Sequence, residues 1–251
     1  MQDTNRFEHP VLNVSINGAA IEKRPSFFSL LTDEGFSSVV SILKFSADSG
    51  IGKSGDPAEV HLSLAGTEYL LFTGKVLAAG IHGAYRDLIL TDGYSKLFTT
   101  PVIAAYRKEK AKIILQDTLD GAGIEKTAIT CPEVEIARFS TEKITAFLCI
   151  KLLIKTLEEH GHTGFRFFFD EEDTFRFGTA GDTGKNEGPV YEFETGKNIL
   201  KKGDGKIEVL PLPIRHSQEV TVDGVNLITS RTDLSISGSH SRLILWLREA
   251  T

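Results

Sequence analysis

The sequence predicts a mostly β fold with a small α insert (α+β), in which two antiparallel β-barrel-like domains flank a helical middle. Three observations carry that expectation. Short runs of alternating apolar residues recur between turn signals over residues 11–92, and again over 190–247. Between the two series lies a block of helical periodicity. Nowhere do strand and helix patterns alternate as a parallel sheet requires. The expected domains are 1–100, a first barrel-like domain; 101–163, a helical insert; and 164–251, a second barrel-like domain.

In the first domain the expected strands are residues 11–16, 36–45, 59–64, 69–76 and 85–90. Asn17-Gly18, Gly55-Asp56-Pro57, Ala65-Gly66 and Asp92-Gly93 punctuate them, since such residues favour the backbone angles of tight turns. From Thr99 the pattern changes. Ala111, Ile114, Leu115 and Leu119 recur at helical spacing within 108–119, and Gly121 and Gly123 stop the run. Residues 127–139, with Pro132, read as a connector.

Residues 140–178 form the stretch around which the chain is expected to be organised. Ser140 is the expected N-cap, with Glu142 placed favourably on the helix dipole. From Ile144 to Leu157 apolar residues cover most of the circumference, leaving Lys151, Lys155, Glu158 and Glu159 as a narrow polar stripe. Such a helix belongs between two bodies of protein or against a partner chain, which puts Leu148 inside and Lys151 outside. It falls short of the roughly 20 apolar residues of a membrane span. Gly161 ends it. Residues 165–169 and 174–177 then alternate around the acidic turn 170–173 and predict a phenylalanine-rich β-hairpin.

The second β-series is expected at 190–193, 205–211, 218–222, 225–229, 234–236 and 242–247, with Asp223-Gly224 as a hairpin turn. Leu243, Leu245 and Leu247 alternate with Ile244 and Trp246, so the last strand is expected to be covered on both sides. Residues 181–188, polar and glycine-bearing, read as a surface loop.

Composition narrows the function. With 41% hydrophobic and 25% charged residues in 251, the chain is of ordinary globular make-up. A net charge of -6 and a pI near 5.7 argue against broad binding to nucleic acid or acidic membrane. Cys131 and Cys149 lack paired spacing and read as reduced thiols of a reducing compartment. Residues 1–10 are polar and do not read as a signal peptide.

The chemical motifs are weak. ADSGIGKS at 47–54 approximates a phosphate-binding loop, yet Gly55-Asp56-Pro57 and a strand follow where a helix N-terminus is needed, so a flexible turn is expected. His160 and His162 have no further ligand at metal spacing. Asp170, Glu171, Glu172 and Asp173 are adjacent on a tight turn rather than spaced as a calcium loop, and read as solvated. The Phe165, Phe167, Phe169, Phe175, Phe177 cluster reads as core rather than a stacking platform. No G-x-S-x-G or other catalytic signature occurs. The expectation is no enzyme, with no catalytic, cofactor-binding or metal residues and no cofactor.

The order of features resembles a known family: FSSVVSILKF, then GDPAEVHLSL, LLFTGKV, RDLILTDGYSKLF, and FLCIKLLIKTLEEHGHTGFRFFFDEEDTFRFG. It is similar to the tail hub proteins of contractile-tailed phages, the late control protein D family, and to the hub part of type VI secretion spike proteins. Residues 55–64 and 71–76 match the family's first barrel pattern, and 147–169 its helix and aromatic hairpin. The resemblance implies a structural baseplate hub and virion component of a contractile injection system, made and assembled in the bacterial host cytoplasm. It implies a homotrimeric ring that adapts a sixfold tail tube to a threefold spike, with tube and spike or baseplate proteins as partners. It implies no sequence-specific nucleic-acid binding and no membrane insertion. The chain is short for such a hub, so a separate spike protein is expected. The alternative expectation is a β-rich carbohydrate-binding or hydrolase accessory domain, with the Phe-rich hairpin or the 181–188 loop meeting a glycan.

Overall fold

The computed structural model describes residues 10–22, 24–34, 40–46, 52–179, 182, 190–238 and 240–249. In chain order come β1 (Val11–Ile16), β2 (Ala19–Ala20), β3 (Phe27–Asp33), β4 (Val40–Ser46), β5 (Pro57–Leu64), β6 (Thr67–His82) and β7 (Tyr85–Thr91). The middle holds α1 (Tyr94–Thr99), β8 (Pro101–Lys110), α2 (Ala111–Gly121), β9 (Thr127–Ile129), β10 (Glu135–Thr145), α3 (Ala146–Glu159), β11 (Arg166–Phe169) and β12 (Phe175–Gly178). Then follow β13 (Tyr191–Phe193), β14 (Ile199–Gly203), β15 (Lys206–Val209), β16 (Glu219–Val222), β17 (Val225–Ser237) and β18 (Ser241–Glu249). The mostly β fold with few helices is as expected. Two compact units result: Met1–Asp92 with Lys185–Thr251, and Gly93–Gly184.

The first unit is one sheet in the order β14-β15-β18-β17-β3-β4-β7-β6-β5-β1-β2, with β16 on β17 and β13 on β16. The second β-series therefore joins the first, across Arg231–Ser237 of β17 and Phe27–Asp33 of β3. Its path is open: among the described residues no pairing closes it into the expected barrels. At the seam sits a polar pair. Thr32 and Thr232, both buried, lie opposite each other with their hydroxyls 2.7 Å apart, and the His216 N–H donates to Thr32 Oγ1 at 3.1 Å. Buried hydroxyls are tolerated because they are paired. They also hide the strands from the sequence, since a core threonine breaks the apolar alternation: β3 was not expected, and β17 was expected as two runs.

Elsewhere alternation decides the core. Leu43, Phe45, Val60, Leu62, Leu88, Leu243 and Leu245 point inward and are buried, while their neighbours are more exposed. The Asn17-Gly18 and Asp223-Gly224 turns have φ of 55° and 73°, and 49° and 80°, the left-handed pairs that match the twist of a hairpin. Ile244, Trp246 and Leu247 are half-buried, with the Arg231 guanidinium 4.9 Å from the Trp246 ring. Strand 36–45 is observed only from Val40, because 36–39 lie outside the described residues.

In the second unit β8 and β10 pair antiparallel, and β11 pairs β12, which runs parallel to β9. Three expectations are corrected here. Residues 135–145 are strand, not connector and helix start, so the N-cap of α3 is Thr145 rather than Ser140; its Oγ1 accepts from the Leu148 N–H at 3.3 Å. Strand β8 likewise runs to Lys110, so α2 begins at Ala111. Finally, within this chain α3 is not enclosed between two bodies: Ala146, Cys149, Ile150, Leu153, Ile154 and Leu157 are buried, whereas Leu148 is 48% exposed. The buried set repeats at three and four residues and so fills one face, packed against α2. Gly161 does end the helix, at φ 84°, with its N–H on Glu158 O and that of His162 on Leu157 O.

Candidate assembly surface

Strand β6 outruns its partner. The last β5 pair is Pro57 with Lys75; β6 then bulges at Leu77 and continues beside β7 to the turn at Gly83. Residues 78–82 thus have β7 on one side and, among the described residues, no strand on the other. Ala78, Gly80 and His82 share a face with Asp87 and Ile89 of β7, Ile42 and Lys44 of β4, and Phe27 of β3, as the register requires. Together they line a depression of about 640 Å³. Its charged pair, Lys44 and Asp87, is 3.7 Å apart, and Lys44 Nζ lies 5.9 Å from the Phe27 ring centre. Toward the tip Tyr85, 53% exposed, and Ile89 lie on this face, while Ile81, 62% exposed, lies on the other face of the hairpin.

This combination is costly for an isolated chain. Large apolar side chains left exposed on both faces of one hairpin invite a partner, and covering one of them is worth about 1.5–3 kcal/mol. An unpaired strand edge without charge, proline or cover is a template for another chain. Strand β14, at one end of the sheet, carries Lys201 and Lys202, whereas 78–82 reads AAGIH. The second unit has a smaller apolar surface of Phe98, Phe147, Leu148 and Leu152, with the two rings 4.4 Å apart.

The motifs weighed in the sequence fall elsewhere. Phe167, Phe168, Phe169, Phe175 and Phe177 are buried, with Phe167 and Phe175 stacked at 5.6 Å and the Tyr94 hydroxyl donating to Phe167 O at 3.2 Å. Of the expected cluster, Phe167, Phe169, Phe175 and Phe177 are core, whereas Phe165 is only half-buried and stacks on Phe177 at 5.5 Å. The acidic turn is not simply solvated, which corrects that expectation. Asp170 is buried; its Oδ1 accepts from the Glu172 and Thr174 N–H groups at 3.0 Å, and its Oδ2 from Arg176 Nε at 2.6 Å. Asp173 Oδ1 accepts from the Gly93 N–H at 2.7 Å, and burial pushes its pKa up. A turn that closes on its own backbone consumes those carboxylates.

The Lys53 N–H donates to Asp56 Oδ2 at 2.8 Å and strand β5 follows; residues 47–51 of ADSGIGKS lie outside the described residues, as do 181 and 183–188 of the polar loop. His160 is exposed at the end of α3, and among the described residues no group of His, Cys, Asp and Glu could hold a metal. Both cysteines are free, and burial raises Cys131 to about 11. Among the described residues no helix is long and apolar enough to cross a membrane. The surface at 77–89 was missed because Ala78, Ala79 and Gly80 favour strands weakly; the signal available was Gly83 between the apolar Ile81 and Tyr85.

No family model and no curated protein matches the sequence. Solved structures do match in fold. The 43 kDa tail protein of prophage MuSo2 from Shewanella oneidensis superposes with a TM-score of 0.72 at 10% identity, over 96% of this chain and 98% of that one. A tail protein from Neisseria meningitidis MC58 gives 0.72 at 11% identity, over 96% and 97%. The fold is that of phage tail proteins. The E. coli c3393 protein, a type VI secretion system component described as similar to the T4 tail proteins gp27 and gp5, gives 0.66 at 11% identity over 95% and 77%.

Proposed function

We propose that this chain is a structural subunit of a phage tail or related injection machine. Specifically, it is a hub of the late control protein D type: a homotrimeric ring between a sixfold tail tube and a threefold spike. The observation that carries the reading is the apolar β6–β7 hairpin, whose β6 edge is open beyond the end of β5, on a fold shared along nearly the whole chain with tail proteins. In a closed ring that surface is covered by a second copy. Each chain contributes two β-series to its sheet, so that three chains would present six β-faces to a sixfold tube. The partners are tube, spike and baseplate proteins, the place is the virion tail after assembly in the host cytoplasm, and the role needs no catalysis. The carbohydrate-binding alternative has less to stand on, since four of the five hairpin phenylalanines it would use are buried.

Images of the purified protein test this. Rings of three chains are expected, and Ile81→Asp, which puts a charge on the exposed tip, should abolish them while leaving circular dichroism unchanged. Isolated single chains for both proteins, or retention on glycans through the hairpin, would overturn the reading.

A further inference from the structure

In the second unit, Arg107 of β8 and Arg138 of β10 lie directly opposite each other. Opposed residues on antiparallel strands have their Cβ atoms about 4.5–5.5 Å apart on one face, and like charges there are destabilising. Lys108, next in the chain, has φ 52°, a left-handed conformation costly for a side chain of this kind. All three line a depression of about 480 Å³ with Ile136, Glu159 and His160. Some cations elsewhere sit in ion pairs, as Lys44 with Asp87, Lys110 with Glu133, Arg176 with Asp170, Lys202 with Asp223 and Arg248 with Glu34, and others, such as Lys201, stand singly at the surface rather than set against a second cation. Among the described residues Arg107 and Arg138 have no such partner.

Two structural explanations fall short. The end of α3 is close by, and a helix C-terminus favours positive charge. That accounts for a cation near Glu159, but not for two guanidiniums set against each other, and the last carbonyls of α3 are already used by the His160, Gly161 and His162 N–H groups. Nor does packing require them, since both side chains are exposed.

We propose that this depression is a carboxylate-binding site for a short acidic segment of another protein, with the Arg107 and Arg138 forks closing on one or two Asp or Glu side chains. Planar guanidiniums grip a carboxylate through paired N–H donors, and an anion between the two offsets their mutual repulsion. A nucleic-acid backbone fits less well. The chain carries a net charge of -6, Glu159 lines the same depression, and the strands that hold the arginines also hold Glu109 and Glu135. A run of phosphates would have to cross those carboxylates; one acidic side chain does not. The site is independent of the tail reading.

The test uses the full chain and a fluorescently labelled peptide with two adjacent glutamates in a neutral Gly-Ser sequence, followed by anisotropy, with a labelled thymidine hexanucleotide and inorganic phosphate alongside. The peptide should bind, more weakly as salt rises, and Arg107→Gln and Arg138→Gln should each weaken binding about tenfold or more, the loss of one charge-assisted fork. Lys201→Gln, on β14, should change nothing. Thermal unfolding of the free variants separates binding from structure: removing one of two opposed cations should leave the Tm at or above that of the natural protein. No peptide binding, binding that the arginine variants leave intact, tighter Arg107-dependent binding of the oligonucleotide, a response to phosphate alone, or a lowered Tm in both variants would each overturn the proposal.

Discussion

Gly93 leaves no room for a side chain. A Cβ there would sit 2.2 Å from Phe169 Cε1, inside the aromatic core of the second unit, whereas at Gly121 it would meet nothing within 4 Å. Gly93→Ala should therefore cost about 1–3 kcal/mol by overpacking, while Gly121→Ala, at the end of α2, should be neutral or slightly stabilising; urea midpoints compare the two. The Thr32–Thr232 pair supplies a second case. Thr232→Val removes one hydroxyl and leaves Thr32 with the His216 N–H alone, so a loss of about 1 kcal/mol is expected in the same measurement. Acid titration supplies a third. The Asp223 carboxyl is held at about 2, below its ordinary 3.8, by the Lys202 ammonium 2.6 Å away and then by the Thr195 N–H and hydroxyl. A depressed folded pKa stabilises above the unfolded value, so this contribution is intact above pH 4 and is lost as pH falls from about 4 to about 2. Lys202→Met should flatten that part of the acid unfolding curve.

At the scale of elements, α3 shows how far the sequence could be read. Its existence, its end at Gly161 and the hairpin that follows were legible, because glycine stops and alternating phenylalanines have local causes. Its buried face was not: apolar residues on most of the circumference do not say which of them meet another element. Leu153 is inside and Leu148 outside. Leu153→Asp should give insoluble protein, because a buried unpaired carboxylate costs several kcal/mol, whereas Leu148→Asp should fold and be purified in normal yield; soluble yield with circular dichroism decides. Strands β8 and β10 were missed for a different reason. Their outward faces carry Arg107, Glu109, Arg138 and Glu142, so the alternation is polar against weakly apolar and the partner strand, not local propensity, holds them extended.

Across the whole chain, the β-rich series and the helical middle follow from local patterns, but the joining of the two series into one sheet does not. That joining rests on a pairing between residues some two hundred positions apart, and nothing in the spacing of Thr32 or Thr232 announces it. The candidate surface was illegible for a related reason: an exposed hairpin is defined by strands that stop short of it. The central claim, that this hairpin joins copies of the chain into a ring, is tested most directly by the mass of the protein in solution, measured by light scattering over a range of concentrations for the natural chain and for Ile81→Asp. The natural chain should give the mass of three 27.5 kDa chains, and Ile81→Asp that of one. A single-chain mass for the natural protein at every concentration, or a trimer that Ile81→Asp leaves intact, would contradict it.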